Sequence, residues 1–250
     1  MNGAASSGTG RLRGRRALVT GGGSGIGAAT ASAFGKAGAA VLTGDLAGGD
    51  LVMDVRDRES VEAGISEAAN RLGGLDTIVC NAGISVRGEA HELSEDAWSE
   101  VLATNLTSVF LCAKAAWPHL VSAGGGAILV TASAAGQWPE ADAAGYSVTK
   151  SGAITLTRCL AFSGAKFGIR ANAVCPGGIW SPMTERFLES RPDPEATRAR
   201  ITSLHPLGLG QESDVANAFV YLASEDARWI TGTALTVDGG RMSAYSLLGT

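Results

Sequence analysis

The sequence predicts a doubly wound α/β fold: a parallel sheet of about seven strands with helices on both faces. Two observations carry that expectation. Short runs of Val, Ile and Leu alternate with longer stretches of helical periodicity, and several of the short runs are continuously apolar, as strands covered on both faces should be. A glycine-rich turn, residues 20–27, joins the first apolar run to the first helical stretch.

In chain order the strands are expected at 17–20, 40–43, 51–53, 77–80, 127–131, 170–174 and 234–237. Helices are expected near 26–36, 59–72, 95–120, 143–166 and 214–223. Ser94 followed by Glu95 and Asp96 marks a helix start, a capping hydroxyl with acids at the positive end of the helix dipole. The link between the second and third strands, residues 44–50, is too short for a crossover helix and is expected to be a bare loop. No repeat or low-complexity linker divides the 250 residues, so one domain is expected.

Composition narrows the function classes. Hydrophobic residues make up 45% of the chain, enough for a sizeable core, which excludes intrinsic disorder. Lys and Arg number 20 against 24 Asp and Glu, for a net charge of −4, so nothing suggests nucleic acid as a partner. No apolar run approaches the 18 or so residues that a membrane span requires. Cys80, Cys112, Cys159 and Cys175 sit in apolar stretches without metal-like spacing, which reads as reduced thiols in a cytoplasmic protein. His91 and His205 lack a carboxylate or Cys partner pattern, and no metal site is expected. Charged residues are only 18%, below the roughly 25% that is usual, which hints at area buried between subunits. Arg11, Arg13, Arg15 and Arg16 precede the first acid, Asp45; residues 1–13 are expected to be a flexible basic arm and 14–250 a single catalytic domain.

The glycine turn is suited to a pyrophosphate. Gly21, Gly23, Ser24, Gly25, Ile26 and Gly27 let the backbone turn sharply and approach a phosphate, and the following helix offers free N–H groups to it. Asp45, with Leu46 beside it, closes the second strand, where a carboxylate can accept from the adenosine ribose and repel a 2′-phosphate. No Arg stands at Gly23 or Ser24 to receive that phosphate, so the reading is NAD(H), with NADP less favoured.

Tyr146 and Lys150 lie four residues apart on one helix face. An ammonium beside a phenol stabilises the phenolate, making Tyr146 usable as a general acid or base. Ser133 follows the 127–131 strand at its carboxyl end, where α/β sheets place ligands, and its hydroxyl can bond the reacting oxygen.

Taken in order, TGGGSGIG (20–27), Asp45, Asp54-Val55, Asn81-Ala82-Gly83, Asn105, Ser133, YSVTK (146–150), PGGI (176–179), Ile230-Thr231-Gly232 and Val237-Asp238-Gly239-Gly240 resemble the short-chain dehydrogenase/reductase family over residues 14–241. The resemblance implies a Rossmann-type domain and a tetrad of Asn105, Ser133, Tyr146 and Lys150. Tyr146 would exchange the proton and Ser133 would orient the substrate oxygen. Lys150 would bind the nicotinamide ribose and lower the tyrosine pKa, while Asn105 would hold a relay water. It further implies that Asp54 and Val55 contact the adenine and that Asn81, Ala82 and Gly83 line the cofactor. Pro176, Gly177 and Ile179 would pack along the nicotinamide, with Ser181 where a Thr commonly meets its carboxamide. A homotetramer, or a homodimer, is usual among such proteins. The apolar segment 241–250 is expected to reach across a subunit interface.

Substrate selection is assigned to Gln137, Trp138, Trp180, Met183 and Phe187 around Ser133 and Tyr146, a set that suits a secondary alcohol or ketone with an apolar group. Arg87 and Arg186 read as surface arginines rather than as a clamp for an acidic substrate. The expected function is an NAD(H)-dependent oxidoreductase interconverting a secondary alcohol and a ketone. The alternatives are a reductase of 3-oxoacyl thioesters or sugar-derived ketones and, from another class, a catalytically silent dinucleotide-binding scaffold or redox sensor. The intact Tyr–Lys pair argues for the enzyme, since a scaffold has no physical need of it.

Overall fold

The computed structural model describes residues 10–243. Seven parallel strands form one sheet: β1 (Arg16–Thr20), β2 (Ala40–Asp45), β3 (Leu51–Val52), β4 (Thr77–Cys80), β5 (Gly126–Thr131), β6 (Ile169–Pro176) and β9 (Ala234–Val237), in the order β3-β2-β1-β4-β5-β6-β9. Between them run α1 (Gly25–Lys36), α2 (Arg58–Leu72), α3 (Glu95–Leu102), α4 (Ser108–Ser122), α5 (Ala144–Gly164), α6 (Pro182–Glu189), α7 (Pro194–Ser203) and α8 (Glu212–Ala223). All seven strands of the sheet lie where the alternation places them, each within two residues at either end.

Alternate residues of each strand feed opposite faces, so the apolar runs build two cores. Leu18, Ile78 and Ile128 pack with Val61, Ile65, Val109 and Ile154, on the side of α2, α4 and α5. Val19, Val79 and Leu129 pack with Phe34, Val215 and Phe219, on the side of α1 and α8. Each fully buried side chain of this kind contributes roughly 1.5–3 kcal/mol relative to an exposed one. Strand order reverses between β1 and β4, so the chain leaves these neighbours in opposite directions and opens a crevice beyond their carboxyl ends.

The link from β2 to β3 is a helix-free loop. β3 pairs only with the end of β2, Gly44 with Leu51 and Asp45 with Val52, so the chain never returns along the strand and no crossover is needed. The Ser94 hydroxyl caps α3, accepting from Ala97 N as expected. The single helix expected over 95–120 is instead α3 and α4 joined through a π-helical turn, Ala103–Thr107.

Two expectations need correction. Residues 10–13 are not a loose arm: they form a turn in which Leu12 is fully buried with Phe34 and its N–H donates to Ala37 O. The rest of the expected arm, and 244–250 of the expected interface tail, fall outside the described residues. The segment between β6 and α8, where the sequence predicts no helix or strand, is ordered as well. A short pairing of β7 (Ile179–Trp180) with β8 (Gly210–Gln211) brackets α6 and α7.

Candidate active site

A cleft of about 1100 Å3 lies along the carboxyl ends of the central strands. One end is the turn after β1. Gly27 sits where a Cβ would run into Gly21 O and disrupt the turn, and Gly25 adopts a φ of +58°, a conformation that a side chain would strain. Ser24 caps α1 through its backbone alone and the first helical turn carries no acid of its own, which leaves its N–H groups available to an anion. This cradle fits a phosphate-bearing cofactor.

Asp45 reaches the turn from the end of β2, its Oδ2 accepting from Gly23 N at 2.9 Å, and it lines the cleft with Leu46, Asp54 and Val55. Asp54 is bound in bidentate fashion by Arg56, Nε to Oδ1 at 3.0 Å and Nη2 to Oδ2 at 2.8 Å, which holds its carboxyl below the ordinary value. Asn81 spends its amide on the scaffold: Nδ2 donates to Thr20 O and Gly21 O, and Oδ1 accepts from Thr131 Oγ1, tying the β1 turn to β5. Ala82, Gly83, Pro176, Gly177, Ile179 and Ser181 continue the wall of the cleft, and Ser181 also caps α6 by accepting from Thr184 N.

The four tetrad positions come from three elements, with Tyr146 and Lys150 sharing α5. Ser133 follows β5 and acts on the Tyr146 hydroxyl, favouring its ionised form; both residues line the cleft. Lys150, one turn along α5, is 4% exposed and donates from Nζ to Thr131 O at 2.7 Å. Asn105 lies in the π turn with its amide used at both ends: Oδ1 accepts from Ile84 N at 2.8 Å, and Nδ2 donates to Ile84 O at 2.9 Å and to Thr149 Oγ1. π turns recur at functional positions because the inserted residue redirects side chains that a regular helix would hold on its face.

The electrostatics depart from one expectation. Burial raises the Tyr146 hydroxyl above its ordinary pKa, and the Glu140 carboxylate adds to the rise, outweighing the lowering by the Ser133 side chain and the Arg87 charge. The lowering expected from Lys150 is not what the geometry shows, because Nζ stands 5.6 Å from the ring centroid and is turned to Thr131 O. Burial brings Lys150 itself down to about 8.

The part of the cleft expected to take substrate differs most from expectation. Met183 and Phe187 line the cleft with Ser133 and Tyr146, whereas Gln137, Trp138 and Trp180 do not. Gln137 accepts from Thr236 Oγ1, Trp138 is half exposed, and the Trp180 ring lies 4.6 Å beneath the Arg198 guanidinium. Arg87 and Arg186, read from sequence as surface arginines, both border the cleft, joined by Arg191 and Arg241. Arg241 comes from beyond β9, and nothing in its local sequence marks it. His205, unremarkable by pattern, is buried and accepts from Gly178 N at 2.8 Å through Nε2, its Nδ1 facing Ile201 O at 2.7 Å. It thereby braces the 176–179 turn against α7. Among the described residues no cluster of His, Cys, Asp and Glu could hold a metal, and no helix is long and apolar enough to cross a membrane.

A protein-family model described as enoyl-(acyl carrier protein) reductase matches residues 21–242. The chain is 38% identical over 248 residues to 2,5-dichloro-2,5-cyclohexadiene-1,4-diol dehydrogenase of Sphingobium indicum, covering 92% of this chain and 97% of that one. It is 40% identical over 244 residues to cis-4-hydroxycyclohexanecarboxylate dehydrogenase of Sinomonas cyclohexanicum, covering 90% and 96%. A solved structure from Burkholderia xenovorans, described as a short-chain dehydrogenase/reductase, superposes with a TM-score of 0.89 at 35% identity, covering 94% of this chain and 98% of that one.

Proposed function

The chain belongs to the short-chain dehydrogenase/reductase family, and from that premise we propose that it interconverts ring-borne secondary alcohols and their ketones with NAD(H), through Tyr146, Ser133, Lys150 and Asn105. As a member of this family it is an oxidoreductase of the alcohol/ketone type, using a nicotinamide dinucleotide. The observation that carries the finer reading is that Ser133 and Tyr146 line one cleft, the one that starts at the phosphate cradle, with a buried Lys150 one turn on.

A dinucleotide, when bound, would supply the hydride acceptor for oxidation and the hydride donor for reduction. The turn residues Gly21, Gly23, Ser24, Gly25, Ile26 and Gly27 would hold its pyrophosphate, and Lys150 its nicotinamide ribose. The 81–83 stretch and Pro176, Gly177, Ile179 and Ser181 would hold the nicotinamide half. Ser133 orients the substrate oxygen, and the Tyr146 oxygen takes the carbinol proton in oxidation and returns it to the carbonyl oxygen in reduction. Asn105, fastened to Ile84, keeps the π turn open for the relay between Lys150 and solvent. Because burial holds Tyr146 protonated, oxidation by this chain gains with rising pH, as the phenolate becomes populated.

NAD(H) over NADP(H) is supported by Asp45, whose carboxylate occupies the ground a 2′-phosphate would need, and by Arg56, a cation on that side already bound by Asp54. Ring alcohols are favoured by Met183 and Phe187 in the cleft wall and by the two relatives, whose names state ring hydroxyls. Four unpaired cysteines support a cytoplasmic setting, and exposed Phe110 and Phe162 on α4 and α5 support a homotetramer.

The test is turnover on a panel of cyclic secondary alcohols and ketones with each dinucleotide. Tyr146→Phe is expected to lose at least about a thousandfold in kcat, because the proton has no other carrier, while NADH still binds. Comparable turnover in that variant would refute the assignment.

A further inference from the structure

The chain carries a net charge of −4, yet the half of the cleft beyond Tyr146 is strongly cationic. Arg87, Arg186, Arg191, Arg200 and Arg241 border the cleft. The acids facing them are Glu140 and Asp142. Glu140 takes Arg87 Nη1 on Oε2 and Arg241 Nη2 on Oε1, each at 2.8 Å. Asp142 takes Arg87 Nη1 at 3.1 Å and faces Arg191 Nη2 at 3.8 Å. Two carboxylates thus hold three guanidinium groups in place, and they leave a positive excess that Arg186 and Arg200 enlarge.

Phe187 organises this excess. The guanidinium carbons of Arg87 and Arg191 lie 4.5 and 4.2 Å from its ring centroid, so α6 holds two like charges against one aromatic side chain. Arg191 Nε is also a buried donor with no hydrogen-bond partner, the one such side-chain atom among the described residues. A buried N–H without an acceptor is costly unless a ligand supplies one. The cluster lies close to the chemistry, since Glu140 and Arg87 both act electrostatically on the Tyr146 hydroxyl.

We propose that the substrate carries an anionic group, a carboxylate or an oxyanion of similar size, seated between Arg87 and Arg191 over Phe187 while its carbinol carbon meets Ser133 and Tyr146. This deepens the reading of the cleft as the site of an alcohol oxidoreductase and rests on it. Glu140 and Asp142 act as positioning residues, keeping the arginines extended until the anion arrives. Phe187 and Met183 pack on the apolar part of the substrate, so the preferred molecule is a hydroxy acid whose two ends are separated by an apolar spacer such as a ring.

Binding of an unreactive probe tests this without requiring turnover. Cyclohexanecarboxylate and cyclohexanecarboxamide, alike in shape and different in charge, are titrated calorimetrically into the protein with and without NADH. The carboxylate is expected to bind at least about tenfold more tightly than the amide. That ratio should shrink as salt is raised from about 20 mM to about 0.5 M. It should fall towards one in Arg191→Gln and, independently, in Arg87→Gln. Equal affinities in the native chain overturn the proposal, as does absence of carboxylate binding or a ratio that neither substitution moves. Oxidation of cyclohexanol is followed in parallel: if it proceeds while the carboxylate has no advantage, the anion subsite fails and the oxidoreductase reading stands. Carboxylate binding without any Tyr146-dependent turnover keeps the anion subsite and overturns the oxidoreductase reading.

Discussion

Lys150 carries its charge where the fold least favours it. Its side chain is 4% exposed, and burial brings its pKa from 10.5 to about 8. A gap of that size corresponds to roughly 3 kcal/mol of destabilisation at neutral pH. Because the folded chain holds this proton less tightly than the unfolded chain, the penalty is complete below about pH 8 and fades as pH rises towards 10.5. Lys150→Met is therefore expected to gain about 1–3 kcal/mol in urea unfolding at pH 7 and to lose turnover, with the stability gain shrinking at higher pH. A variant less stable than the native chain would show that the Nζ bond to Thr131 O outweighs burial. The lysine was legible in the sequence because its partner lies four residues away on one helix. Arg191 and Arg241 were not, because each meets its partner, Asp142 and Glu140, only through tertiary folding.

Elements differ in how locally they are determined. β1, the glycine turn and α1 form one local unit, and Asp45 enters it from the neighbouring strand through its bond to Gly23 N. Asp45→Ala is expected to narrow the preference for NAD over NADP in kcat/KM by about ten- to a hundredfold, since a repelling charge worth about 1–3 kcal/mol is removed. An unchanged preference would place the discriminating group elsewhere on the cleft. The π turn at 103–107 could not be read from periodicity, because one extra residue hardly disturbs an apolar pattern running through 95–122. α6 and α7 escaped for a different reason. They are short, α6 presents few buried residues, and α7 presents none. Their helical state follows from Pro at the first turn and the Ser181 and Asp193 caps rather than from a core-facing stripe.

At the scale of the molecule, the order of the strands puts every candidate residue at one end of the sheet. Reversal of winding between β1 and β4 opens the crevice, and the elements that follow line it. On the opposite side of the domain from the α1–α8 layer, α4 and α5 leave Phe110 48% and Phe162 90% exposed. Four such chains of 25.3 kDa are expected to associate across this face. Phe162→Glu should shift sedimentation towards smaller species by placing a charge in a buried interface. A native chain that sediments as a monomer at micromolar concentration would exclude the tetramer.

Fold class, the seven strands of the sheet and the Ser133, Tyr146 and Lys150 positions are written in the order of the residues. Each of those signals is local: an apolar run, a turn rich in glycine, two residues on one helix face. Only folding fixed the charge of the cleft beyond Tyr146, the packing of Leu12 and the withdrawal of Gln137, Trp138 and Trp180 from the cleft wall. Those depend on which side chains from distant elements share a space, and the pattern of residues along one strand or helix carries no record of that.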